Sequence, residues 1–166
     1  MTASRVAILM GSDSDFERLE PAVATLRQFG VEPAVRVLSA HRTPAEACGF
    51  AAAARADGFQ VLLCAAGGAA HLAGVVAAHT SLPVIGIPLD NPPLGGLDAL
   101  LSTTQMPGGV PVGSVGVGRG GPVNAALLAL RILSCSDPEL ARALDEFRGS
   151  QREKVLAKDA QLQDRL

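Results

Sequence analysis

The segment Val61-Leu62-Leu63-Cys64-Ala65-Ala66-Gly67-Gly68-Ala69-Ala70-His71-Leu72-Ala73-Gly74 decides how the rest of the chain is read. Its apolar start, residues 61–64, is too short for a helix and suits a buried strand. Gly67 and Gly68 follow, able to take backbone angles closed to other residues and to let a ligand approach the main chain. His71 is the first side chain past the turn that can exchange a proton near neutral pH. Apolar strand, small-residue turn and titratable group in succession is how an open α/β sheet presents a site at the carboxyl end of its strands. Taken alone, His71 reads equally well as a residue that caps or packs at a helix start.

Working outward, the same strand–turn–helix unit recurs. Residues 5–10 (RVAILM) form an apolar run into Gly11-Ser12-Asp13-Ser14-Asp15, and a helical pattern follows with Phe16, Leu19, Val23, Leu26 and Phe29 on one side. Ser14 and Glu17 have capping-box spacing, and Gly30 stops the helix. Residues 34–38 (AVRVL) lead into Ser39-Ala40-His41-Arg42-Thr43-Pro44. Thr43 as N-cap, Pro44 at the first helical position and Glu46 at the third open an Ala-rich helix that runs to Gly58.

The third strand is residues 60–64, followed by the glycine turn and a short helix over 75–79. Residues 83–88 are the fourth strand, with a Pro- and Gly-rich loop at 89–96 behind it. A helix over 97–104, a fifth strand over 112–117 and a loop over 118–122 come next. Residues 124–133 (NAALLALRIL) are apolar on nearly all sides, as in a buried or interface helix. Asp137-Pro138 starts a last helix, with a break near Gly149 and a polar tail whose apolar seam is only Val155, Leu156, Leu162 and Leu166.

Alternating strands and helices imply an α/β fold, a three-layer αβα sandwich on a parallel, flavodoxin-like sheet of order 2-1-3-4-5. One domain over 1–166 is expected, with a helical tail over about 137–166. GSDSD, SAHRTP, AGGAAH and PLDNPP each follow a strand directly, so these loops converge on one edge of the sheet.

Composition narrows the function classes. Of 166 residues, 48% are hydrophobic and 18% charged, which suits a packed globule. The net charge of −2 and the absence of a Lys/Arg cluster argue against nucleic acid and membrane surfaces as partners. With no Trp, no Tyr and 3% aromatics, base-stacking platforms are hardly available. Cys48, Cys64 and Cys135 lack metal or redox spacing and read as reduced core residues of a cytoplasmic protein. No signal-peptide pattern and no membrane-length apolar run are present.

GSDSD offers hydroxyls and helix N-terminal amides to an anion, and its carboxylates Asp13 and Asp15 suit a sugar hydroxyl. The same stretch is equally a capped helix start needing only Gly11 and Ser14. In SAHRTP, Arg42 can bind phosphate bidentately and His41 can carry a proton, whereas capping explains only Thr43 and Pro44. The plain alternative is a surface His beside an idle Arg. His79 has no recognisable partner and reads as structural. There is no Walker loop, GxGxxG after the first strand, HExxH or GxSxG elbow.

GSDSD, SAHRTP, AGGAAHL, LDALLSTTQMPGGVPV and NAALLALRIL, in that order and spacing, resemble the 5-(carboxyamino)imidazole ribonucleotide mutase family of purine biosynthesis over roughly residues 6–147. GGAAHL is similar to the class I mutases, whereas carboxylases that take CO2 directly typically carry SAHKT. The resemblance implies that His41 transfers the proton, that His71 lines the same pocket, and that Ser12, Asp15 and Arg42 bind the ribonucleotide. Gly11, Ser14, Ser39, Ala66, Gly67, Gly68, Ala70 and Leu72 complete the candidate substrate contacts. It further implies a homo-octamer that uses no metal and no organic cofactor. Ala73, Ala99, Thr103-Thr104 and the LDNPPL loop (89–94) depart from the family pattern.

The implied reaction moves a carboxylate from an exocyclic nitrogen to ring carbon C4. It needs one group that donates and later accepts a proton, space for CO2, and exclusion of water. Two other readings share these residues: a carboxylase using CO2 directly, and a non-enzymatic phosphoribosyl or nucleotide-binding module.

Overall fold

The structure is a computed structural model and describes residues 4–166. The chain divides into two compact units, Met1–Ala129 and Leu130–Leu166. In the first, strands β1 (Val6–Met10), β2 (Ala34–Val37), β3 (Val61–Ala66), β4 (Val84–Pro88) and β5 (Gly113–Ser114) form one sheet of order β2-β1-β3-β4-β5. Every pairing is parallel, as the sequence implies. Helices α1 (Phe16–Gln28), α2 (Pro44–Ala53), α3 (Leu72–Ala78) and α4 (Leu97–Thr104) connect the strands, and α5 (Gly121–Ser134) and α6 (Pro138–Gln163) follow.

β1 and β4 are buried along their whole length and β3 through Ala65, as strands covered on both faces must be. On one face Ala7, Leu9, Leu62, Cys64 and Val84 join Ala47 and Ala51 of α2 and Leu72, Ala73 and Val76 of α3 in a single core cluster. α2 buries only small residues in this cluster, Ala47 and Ala51. The strand order reverses direction at β1, so right-handed crossovers put α1 on the opposite face, burying Leu19, Ala22, Val23 and Leu26.

Several local expectations are corrected. Ser14 and Glu17 do not cap α1. A short 3-10 turn (Asp13–Asp15) precedes that helix, and the Ser12 hydroxyl caps the turn by accepting from the Ser14 N–H. Thr43 makes no capping bond to α2, because its hydroxyl turns back to Ser39. α2 stops at Ala53, and residues 54–58 form turns. β3 runs beyond residue 64 because Ala65 and Ala66 keep pairing with Ile87 and Pro88. α3 spans Leu72–Ala78 with His71 at its N-cap position, where the imidazole makes no capping bond. β5 is reduced to Gly113 and Ser114, the only residues of that stretch paired to β4. α5 starts at Gly121 rather than residue 124.

In the second unit, Pro138 stands at the first position of α6 and Asp137 caps it by accepting from the Leu140 N–H. α6 continues through Gly149 without the expected break, and everything after Ser150 is exposed. No helix of the described residues is long and apolar enough to cross a membrane.

The cysteines do not share one environment. Cys64 is buried in β3, Cys48 is half-buried and Cys135 is exposed, so only Cys64 is the core residue expected of all three. Burial pushes the Cys64 thiol well up from its ordinary range. Cys64 is therefore expected to ignore a thiol reagent in the native protein and to react only on unfolding. Native labelling of Cys64 as fast as that of Cys135, read by mass spectrometry, would contradict this placement.

Candidate active site

The turns after β1, β2, β3 and β4 meet at the carboxyl edge of the sheet around a cleft of about 410 Å3. Of the residues singled out from sequence, Gly11, Ser12, Ser14, Asp15, Ser39, His41, Arg42, Ala66, Gly67, His71 and Leu72 line it. Gly68 and Ala70 do not. Gly68 instead shapes the turn, at φ 63° in the left-handed region, and Ala70 is buried at 1% exposure. Ala69 also lines it, as the Ala/Gly run of residues 65–70 implies, and Ala40 and Asn91 are lining residues that the sequence does not single out.

The first loop folds around its own serines. Ser14 Oγ donates to Ser12 Oγ at 2.9 Å, and the Ser14 N–H reaches Asp13 Oδ1 at 3.0 Å. Asp15 is set deeper, and burial holds its carboxyl above the usual range. The nearby Arg18 and Arg42 charges and the Ser12 backbone pull the other way without cancelling that effect.

The second loop is a hydrogen-bonded knot. Thr43 Oγ1 accepts from the Ser39 N–H at 2.8 Å, and Ser39 Oγ accepts from the N–H groups of His41 and Arg42 at 3.4 and 3.2 Å. Ser39, expected as a substrate contact, thus lines the cleft while its oxygen shapes the turn that carries His41 and Arg42. Arg42 Nη2 donates to the Gly11 carbonyl at 2.5 Å, tying this loop to the first. A guanidinium carries five N–H donors, so the fork still has donors for an anion.

The third loop brings His71 to His41. His41 Nε2 and His71 Nδ1 lie 2.8 Å apart, with the rings edge to face at 83°. One nitrogen donates and the other accepts, so a single proton sits between the two rings. Sequence alone offers His71 no group to orient it; the structure supplies His41 itself. Ser102 of α4 braces the same turn, its Oγ accepting from the Ala70 N–H at 3.0 Å and donating to the Asp98 carbonyl at 2.7 Å. His79 lies away from the cleft, its Nδ1 donating to the Val75 carbonyl at 2.8 Å.

This geometry offers an anion-binding guanidinium, a carboxylate, a pair of imidazoles sharing a proton, and an Ala/Gly wall that leaves room for a small molecule. It suits proton transfer on a small phosphorylated ligand. Comparison with known proteins points the same way. The family model described as AIR carboxylase matches residues 5–154. An N5-carboxyaminoimidazole ribonucleotide mutase from Brucella melitensis is 51% identical over 150 residues, covering 90% of this chain and 93% of that protein. Mutases of the same name from Bacillus subtilis and Escherichia coli are 49% and 46% identical, over 95% and 92% of this chain and 97% and 90% of their own lengths. Among solved structures, Treponema denticola PurE superposes with a TM-score of 0.83 at 32% identity, covering 95% of this chain and 97% of that one. The chain belongs to the AIR carboxylase family.

Proposed function

We propose that this enzyme is the purine-biosynthetic isomerase that converts the N5-carboxylated aminoimidazole ribonucleotide to the C4 carboxylate. The carrying observation is the His41–His71 pair beside an Ala/Gly wall, on a chain about half identical to mutases of that name. Arg42 holds the phosphate and Asp15 accepts from a ribose hydroxyl. The C–N bond of the carbamate breaks, its electron pair stays on nitrogen, and His41, entering the step as the imidazolium, gives its Nε2 proton to that nitrogen and is left a neutral imidazole. The CO2 released is held against Ala66, Gly67 and Ala69 and attacked by C4. C4 then gives its proton to His41, so the enzyme returns to its starting state and the atoms balance without a co-reactant.

His71 holds the His41 ring by the shared hydrogen bond and receives it again once the proton has moved. Decarboxylation is useful only if CO2 cannot escape before recapture, so the cleft must close around it. The relatives' names favour the mutase over a carboxylase that takes CO2 from solution. Turnover of the aminoimidazole ribonucleotide that scales with added bicarbonate, with none of the carbamate, would favour the carboxylase instead.

The working form is a cytoplasmic homo-octamer. Supporting this, Leu97 and Leu101 of α4 and Val155, Leu156 and Leu162 of α6 stay exposed, apolar side chains that burial between copies would remove from water.

His41→Asn keeps the size and one hydrogen bond but cannot shuttle a proton, so kcat is expected to fall by ~10²–10⁴ with ligand affinity retained. His71→Asn acts through ring orientation and should lose about tenfold. Parallel turnover and affinity measurements check this; a His41→Asn enzyme within a few fold of wild type would move the shuttle to His71.

Asp15 gives a pH-linked expectation. Its folded-state pKa lies above the ordinary 3.8, so the fold binds that proton more tightly than the unfolded chain. The contribution to stability is full below the ordinary value and is lost as pH rises through the folded one. Asp15→Asn should therefore raise the Tm of the ligand-free protein at neutral pH, with the gain vanishing toward about pH 4, while weakening nucleotide binding. An unchanged or lower Tm at neutral pH would refute it.

For the assembly, sedimentation should show an octamer at micromolar concentration. A stable, fully active monomer there would overturn that part of the reading.

A further inference from the structure

Arg18, on the exposed side of α1, reaches across to the loop behind β4. Its Nη1 donates to Asn91 Oδ1 at 2.6 Å and lies 3.2 Å from Asp90 Oδ1. A guanidinium has donors and no acceptor, so the Asn91 carboxamide must give Arg18 its oxygen and turn its NH2 the other way. On that other side is Gly67. The Asn91 Nδ2 sits so close to it that a Cβ at Gly67 would collide with the amide. Asn91 also lines the cleft that holds His41 and His71. The loop is held at its base, where the Leu89 N–H donates to the Ala66 carbonyl at 3.0 Å and the Asn91 N–H to the Leu89 carbonyl at 3.0 Å. Asn91 belongs to the LDNPPL stretch at residues 89–94.

We propose that the Asn91 carboxamide is a substrate contact that reads the migrating carboxylate, and that Arg18 and Asp90 are positioning residues that aim it. The inference rests on the cleft being the ribonucleotide site. That substrate carries two acceptor-rich groups, a phosphate and a carboxylate. Arg42 answers the first from the β1–β2 side; Asn91 offers two N–H protons from the β3–β4 side, over the small-residue wall. A neutral donor suits a group that passes from carboxylate to CO2 and back. It bonds oxygen in each form, whereas a cation there would hold the ionised ground state too tightly and slow the loss of CO2. The cation is present, but one step removed, where it sets the amide's direction without touching the ligand.

The test compares equilibrium binding of two nucleotides, the aminoimidazole ribonucleotide and its C4 carboxylate, to the full-length protein and its variants. Asn91→Ala should weaken the carboxylated nucleotide by about tenfold, and Asn91→Asp by more because its charge repels the ligand, both leaving the uncarboxylated one within about threefold. Arg18→Gln should show the same selectivity at smaller size, and in the double variant with Asn91→Ala it should add nothing further. Equal loss for both nucleotides, or loss for neither, overturns the proposal. Arg42→Ala separates the two levels. If it weakens both nucleotides while the Asn91 variants weaken neither, the cleft stands and Asn91 falls; if it weakens neither, the reading of the cleft fails and this inference with it.

Discussion

A parallel sheet forces every strand-to-helix turn to leave from the same edge, and everything functional in this molecule depends on that constraint. β1, β2, β3 and β4 run in register side by side, so residues far apart in sequence become neighbours where their strands end. The buried strands need no polar residues of their own. Chemistry is confined to the turns, and the turns must then be fixed to one another. Arg42 ties the second to the first, His41 ties the second to the third, Ser102 braces the third from α4, and Arg18 holds the fourth from α1. Each tie crosses between segments that the sheet alone would only bring near.

These ties show why small residues occupy the wall between the imidazoles and the β4 loop. Ala66, Gly67 and Ala69 contribute almost no side-chain volume, and the space they leave is bounded by groups that are themselves held in place. Gly67 and Gly68 are both glycine, for different reasons. Gly68 turns the chain through a left-handed angle, and Gly67 makes room for the Asn91 amide. The proposed reaction, in which CO2 must be held without loss, benefits from rigid boundaries, because a mobile wall would admit water or release the gas.

The strand order, the convergent loops and most of the lining residues are legible in the sequence, because apolar runs, glycine turns and helix starts are local signals. Details are misread wherever a side chain serves something distant or unforeseen. Thr43 has every mark of an N-cap, yet its hydroxyl closes the preceding turn on Ser39. Ser14 matches a capping box, but an intervening 3-10 turn makes Ser12 the cap. Gly149 reads as a helix break and is not one, since a single glycine costs only about 1 kcal/mol relative to alanine and the flanking residues are good helix formers. The sequence places Asn91 in a loop at the site's edge but does not single it out, because its amide is oriented by Arg18, seventy-three positions away, and no local pattern joins them. An Asn in a Pro-rich loop signals a turn and nothing more.

In the proposed reaction the two imidazoles give up one proton and take it back. A hydrogen bond between the two rings holds one proton between two nitrogens and requires one ring to accept. When His41 gives that proton to substrate the bond is lost, and when a proton returns to Nε2 the bond is restored. His41 Nε2 therefore cannot serve His71 and the substrate at once, so the proton's departure to substrate nitrogen and its return from C4 are each coupled to a change in the contact between the rings. The reaction asks for an unchanged catalyst at the end, and the pair provides one, because the same contact reforms when the C4 proton arrives. Arg42, immediately after His41 on the same hydrogen-bonded turn, ties the phosphate site proposed for it to the position of that ring through Ser39. Phosphate held far from the reacting atoms thereby helps set the geometry at which the proton moves, which is how remote binding energy lowers a chemical barrier.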